Sequence, residues 1–144
     1  MANDKTKPVG LSPTDAHKYL TENPHALLVD CRTEMEFLFI GHPAGARHVA
    51  WLDEPDWVVN PHFVTDIRKL MLGGSVTEGE INTAPVLLVC RSGKRSYDAG
   101  LKLLASGFTH VFNVEEGFEG ELDENHQRGN LGGWRFHGLP WLQS

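Results

Sequence analysis

The residues best suited to chemistry lie together after an apolar run. Val86-Leu87-Leu88-Val89 shows no alternation, as in a strand covered on both faces, and it is followed by Cys90-Arg91-Ser92-Gly93-Lys94-Arg95-Ser96. A buried strand that ends on a cysteine, turns through a glycine and enters a helix brings the sulfur to the carboxyl end of a sheet, where open α/β folds bind their ligands. The main-chain amides of Arg91 to Ser96 can converge on the sulfur as an anion-binding nest. The helix N-terminus adds partial positive charge, and Arg91, Lys94 and Arg95 add full charges. All of these lower a thiol's pKa and favour the nucleophilic thiolate. The cations would also draw an anionic substrate to the mouth. The plain alternative is a buried, inert cysteine, since free cysteines are often core residues. The basic, glycine-bearing turn into a helix argues against it.

Those residues need a sheet and helices to hold them. Ala26-Leu27-Leu28-Val29 and Val111-Phe112-Asn113-Val114 are the other apolar runs, and helical patterns separate the three, which suggests a parallel sheet with crossover helices. Ser12-Pro13 starts one helix, with Ala16, Tyr19 and Leu20 repeating at helical spacing. Thr33 and Glu36 form a capping-box pattern ahead of Phe37 and Ile40. Asn60-Pro61 opens a helix with Phe63, Ile67, Leu70 and Met71 on one face and Gly73-Gly74 as its stop. The helix after Cys90 should pack through Tyr97, Leu101, Leu104 and Ala105 and end at Gly107. Residues 115–133 read as a long acidic, glycine-rich loop, and Gly133 to Trp141 as a short helix with aromatic packing residues.

The Asp30 and Arg32 pair closes the strand expected beside that of Cys90, and a structural ion pair supporting the loop is the favoured reading. Glu36 caps its helix, with a contact to Arg95 as an open alternative. Cys31 is a core or rim cysteine. Near Cys90 it could resolve a persulfide as a disulfide, but strand alternation is expected to turn the two sulfurs apart.

The chain has 144 residues, 40% of them hydrophobic and 22% charged, which suits one ordinary domain spanning 9–144 behind a flexible N-terminal stretch 1–8. A net charge of −6 disfavours nucleic acid. No basic amphipathic helix favours an anionic membrane surface, and no apolar stretch approaches a membrane span. No signal peptide is visible, so a cytoplasmic location is expected. The two cysteines, Cys31 and Cys90, are too few for a disulfide scaffold.

The Cys90–Ser96 segment resembles the active-site loop of rhodanese-type sulfurtransferases. Leu28-Val29-Asp30-Cys31-Arg32-Thr33-Glu34-Met35-Glu36-Phe37 is similar to that family's Asp-x-Arg … Glu-Phe segment, and Gly41-His42-Pro43-Ala44-Gly45-Ala46 to its Gly-His-Ile-Pro-Gly-Ala segment. The resemblance runs from about Leu11 to Trp141. Pro43-Ala44 departs from the family's Ile-Pro, and the usual short link to the final helix is extended by about Glu119 to Asn130. The resemblance implies an α/β fold with three α/β/α layers around a central, mostly parallel five-stranded sheet. It implies a thiosulfate sulfurtransferase in which Cys90 becomes a persulfide and passes its sulfur to a thiophilic acceptor, such as cyanide in an assay or a thiol in the cell. Arg91, Ser92, Gly93, Lys94, Arg95 and Ser96 would bind the substrate; Asp30, Arg32 and Glu36 would support them. No metal or other cofactor is implied. The partners would be a small anionic sulfur donor and a thiol or protein acceptor.

Two other functions stay open. One is a persulfide-relay or sensing module serving a partner protein. The other is a cysteine-dependent phosphatase or arsenate reductase. Related enzymes of that kind carry Cys-x5-Arg around a tetrahedral oxyanion, whereas Cys90 to Arg95 is Cys-x4-Arg, a ring better sized for one sulfur. Among other candidates, the eight histidines lack metal-ligand spacing. Asp123 to Gly129 only faintly resembles a calcium loop, because Arg128 occupies the position that needs glycine. Trp51, Trp57, Trp134 and Trp141 read as packing residues, with Trp51 and Trp57 as candidates for the pocket mouth.

Overall fold

The computed structural model describes residues 6–74 and 76–144. Of the stretch expected to be flexible, residues 1–5 lie outside the described residues; Pro8 is buried and packs on Gly100, where an added Cβ would sit 2.6 Å from its ring.

The strands are β1 (Val9–Leu11), β2 (Leu27–Asp30), β3 (His42–Pro43), β4 (Arg47–His48), β5 (Val86–Val89), β6 (Val111–Val114) and β7 (Trp141–Leu142). The helices are α1 (Pro13–Glu22), α2 (Phe63–Leu72) and α3 (Lys94–Ala105). Five strands form one sheet in the order β1-β6-β5-β2-β4, with every pairing parallel. Parallel neighbours need crossovers, and the crossovers bury both faces. This is why β5 is buried at all four residues and reads as an unbroken apolar run.

On one face, Val29, Val86, Leu88 and Val111 pack with Phe63, Ile67 and Met71 of α2 and Ala99 and Leu103 of α3. On the other, Leu28, Leu87, Val89 and Phe112 pack with Ala16 of α1, Phe118 and Trp134. Each fully buried Leu, Val or Phe contributes about 1.5–3 kcal/mol, so both layers hold the strand that carries the cysteine.

The helix starts follow the sequence signals. The Ser12 hydroxyl accepts the Asp15 amide at 3.1 Å. The Asn60 side chain accepts the His62 amide at 2.9 Å, one residue ahead of α2. Thr33 and Glu36 exchange their hydrogen bonds, with the Thr33 amide donating to the carboxylate and the Glu36 amide to the hydroxyl, both at 3.2 Å. The turn they open runs as a π-helix over Glu36–Ile40 and stops at Gly41, whose φ of 107° suits glycine.

Two expectations fail. The buried side of α3 is Ser96, Ala99, Gly100 and Leu103, whereas Tyr97 and Leu101 stand at the surface. Small residues stand where α3 approaches Pro8 and the sheet, Leu103 is the large side chain facing inward, and of the expected stripe Leu104 packs partly against the core. Gly133 to Trp141 is not a helix but a set of turns leading to β7, which pairs antiparallel with β3. Gly133 and Gly138 have φ of 107° and 73°, and Pro140 follows, so a helix cannot pass through. No helix among the described residues is long and apolar enough to cross a membrane.

Candidate active site

Cys90 follows β5 directly and is 1% exposed. Gly93 takes φ of 108°, which turns the chain into α3 and aims amides back at the sulfur. The Gly93 amide donates to Sγ at 3.2 Å and the Ser96 amide at 3.3 Å, and the Ser96 hydroxyl lies 3.2 Å away. Of the amides of residues 91–96, those of Gly93 and Ser96 donate to the sulfur. The thiol's pKa falls to about 5: the neighbouring Cys31 thiol acts most strongly, burial opposes it, and Ser96 and Gly93 add to the lowering. A pKa near 5 favours the thiolate at neutral pH, and the thiolate is the nucleophilic form of a cysteine.

The position of Cys31 corrects the sequence expectation. The register pairs Asp30 with Val89, and the Cys31 amide continues the ladder to the Val89 carbonyl at 2.9 Å. Cys31 is therefore level with Cys90. Alternation separates neighbours along one strand, but residues level across a parallel pair point to the same side. Both sulfurs lie in the α2/α3 face of the core, and the Cys31 thiol donates to the Val89 carbonyl at 3.4 Å. Burial foremost, and then the neighbouring Cys90, push the Cys31 thiol well above its usual pKa, so it stays protonated.

Asn113 went unnoticed in the sequence, although an amide inside an apolar strand was the signal. Its Nδ2 donates to the Gly93 carbonyl at 3.1 Å, which leaves Oδ1 facing the Ser96 hydroxyl as acceptor. Ser96 has one hydrogen for two acceptors, Asn113 Oδ1 and Cys90 Sγ. With Cys90 a thiol, the hydrogen goes to Asn113; with Cys90 a thiolate, it can turn to the sulfur. Gly117 was missed as well. At φ of 66° it packs so closely on the loop that a Cβ would lie 2.5 Å from the Cys90 carbonyl oxygen. The next amides, Phe118 and Glu119, donate to the carbonyls of Cys90 and Arg91 at 2.8 and 3.0 Å.

The supporting residues sit around this centre. Asp30 and Arg32 form a fully buried ion pair at 2.7 Å, and Arg32 also donates to the Gly41 carbonyl. The expected ion pair is present, and its bonds fasten the end of β2 to the chain entering β3. Glu36 both caps its turn and binds Arg95 through two hydrogen bonds of 2.8 and 2.9 Å. Burial acts to raise the Glu36 carboxyl, but Arg95, the Thr33 amide and Arg32 outweigh it and hold the pKa at about 2. Arg91 and Lys94 are exposed, and Ser92 is half-buried.

A cavity of about 630 Å³ opens beside the loop, lined by Arg91, Arg95, Glu36, Phe39, Trp57 and Arg128 among others. Trp57 therefore stands at the mouth as expected, but Trp51 is buried edge-on to Phe63. The 119–130 segment shapes the cavity's far wall. Arg128 donates to the Gly120 carbonyl at 2.7 Å, and Asp123 accepts the amides of Asn125 and Gln127 at 2.8 and 2.9 Å, closing the segment on itself. From the same segment, Glu119 faces Arg32 at 3.8 Å.

Known proteins share this chain's sequence pattern and fold. The model of the rhodanese-like domain matches residues 12–123. The chain is 35% identical to Rv0390 of M. tuberculosis, whose crystal structure superposes with a TM-score of 0.75 over 94% of this chain and 97% of that one. It is 31% identical over 107 residues to the thiosulfate sulfurtransferase GlpE of Pseudomonas putida, covering 74% of this chain and 79% of that protein. The polysulfide-sulfur transferase homodimer of Wolinella succinogenes is 25% identical, with a TM-score of 0.57 over 95% of this chain and 80% of that one.

Proposed function

This chain belongs to the rhodanese-like domain family, and from that premise we propose that it is a sulfurtransferase that carries a sulfane sulfur on Cys90. The Cys90 thiolate attacks the outer sulfur of a donor such as thiosulfate. The S–S bond of the donor breaks, sulfite leaves with its electron pair, and Cys90 becomes a persulfide. A thiophilic acceptor, cyanide in an assay or a thiol in the cell, then takes the outer sulfur and returns Cys90 as thiolate. Covalent catalysis divides one transfer into two easier ones.

The observation that carries this reading is the convergence on one sulfur of two main-chain amides, those of Gly93 and Ser96, with the Ser96 hydroxyl beside them. They stabilise negative charge at Sγ without using Arg95, which Glu36 holds. A phosphatase would need that guanidinium on its oxyanion. Thiosulfate as donor is supported by the likeness to GlpE, and polysulfide by the likeness to the Wolinella transferase. Arg91 and Lys94, both exposed, suit either anion by attraction at the mouth. Intact-mass measurement after incubation with thiosulfate under non-reducing conditions tests the proposal. One added sulfur, absent from Cys90→Ser, is expected. No added sulfur on a chain whose Cys90 still reacts with an alkylating probe would overturn it.

A further inference from the structure

We propose that Cys31 is a second reacting thiol of this site: when no acceptor takes the sulfur, Cys31 displaces it from the Cys90 persulfide as hydrosulfide and closes a Cys31–Cys90 disulfide. The proposal rests on the persulfide reading above and adds a sulfide-releasing branch to it.

The argument begins with register. Cys31 and Cys90 are level on adjacent parallel strands and face the same side. Strands lie about 4.7–4.9 Å apart, inside the range of about 4.4–6.8 Å between Cα atoms that disulfides span. Cys31 is 0% exposed, so a dissolved acceptor cannot reach it; its sulfur meets the Val89 carbonyl at 3.4 Å and the Cys90 side chain. A thiol enclosed in this way can react only with what forms on Cys90. At rest it is protonated, so it does not compete with Cys90 for the donor, and it holds the proton that the leaving group needs.

The step balances. Cys90–Sγ–S⁻ and Cys31–SγH give Cys90–Sγ–Sγ–Cys31 and HS⁻. The Cys31 proton passes to the outer sulfur, and the Cys31 sulfur then attacks Cys90 Sγ. The bond from Cys90 Sγ to the outer sulfur breaks, and its electron pair leaves with that sulfur. The Cys31 sulfur is oxidised and the outer sulfur is reduced to sulfide, so no external oxidant enters. A dithiol reopens the bridge and restores both cysteines.

The test loads the full chain with thiosulfate, removes excess donor, and follows intact mass and released sulfide without any acceptor. The wild-type chain is expected to gain one sulfur, then lose it while losing two hydrogens, with one sulfide released per chain. Dithiothreitol should return the original mass. Cys31→Ser and Cys31→Ala are expected to load more slowly, keep the added sulfur and release no sulfide; two variants guard against one that folds poorly. If the wild-type chain holds its persulfide as long as the variants do, Cys31 does not resolve it and this proposal fails, while the persulfide reading stands. If neither wild type nor variants gain sulfur, both fail together.

Discussion

At the scale of the residue, the site depends on how many donors one sulfur collects. Cys90 receives two amides, with the Ser96 hydroxyl able to turn toward it and the Cys31 thiol as a neighbour. Burial alone would favour the neutral thiol. The donors reverse that and bring its pKa to about 5. Alkylation of Cys90 by an uncharged probe is therefore expected to rise with pH through an inflection near 5 and stay flat at neutral pH. Replacing Cys31 by alanine removes the strongest of these influences. The inflection should move up by about 1 to 2 pH units, the worth of one hydrogen bond to a charged acceptor. An unmoved profile in Cys31→Ala would mean that the amides and Ser96 suffice.

At the scale of the element, the turn after β2 and the first turn of α3 are joined by Glu36 and Arg95, whose side chains are 16% and 21% exposed. The Glu36 carboxyl drops from its usual 4.5 to about 2 on folding. A carboxylate depressed in this way contributes stability that is present in full above pH 4.5 and is lost as pH falls through about 2. Glu36→Gln is expected to cost about 2 kcal/mol at neutral pH by denaturant unfolding, a deficit that shrinks as the wild type is acidified through that window. A constant deficit down to pH 2 would assign the loss to packing.

Much at this scale was legible in the sequence because it is local. Ser12, Thr33, Asn60 and Gly73 mark helix ends through bonds to residues two to four positions away. The loop from Cys90 to Ser96 is legible for the same reason. The level placement of Cys31 and Cys90 was not, since it depends on a register set by strands far apart in the chain. Nor was the inward side of α3, where the neighbours select Ala99 and Gly100 over larger side chains. β7 was hidden because a two-residue strand exists only through its partner β3.

At the scale of the whole molecule, the five parallel strands bring the ends of β2, β5 and β6 to one edge, and each contributes there: Cys31, Cys90, and Asn113 with Gly117. The three-layer α/β architecture implied by the family resemblance is the observed one, and the extension over 119–130 lines one side of the cavity through Glu119 and Arg128. The net charge of −6 is opposed locally by the exposed Arg91 and Lys94 beside the loop, whereas Arg95 is neutralised by Glu36. The most direct test of the central claim is the sulfite released when excess chain meets thiosulfate in a single turnover without acceptor. One sulfite per thiosulfate, and none from Cys90→Ser, is the predicted result. A wild-type chain that releases no sulfite, although its Cys90 is a reactive thiolate, would contradict the account.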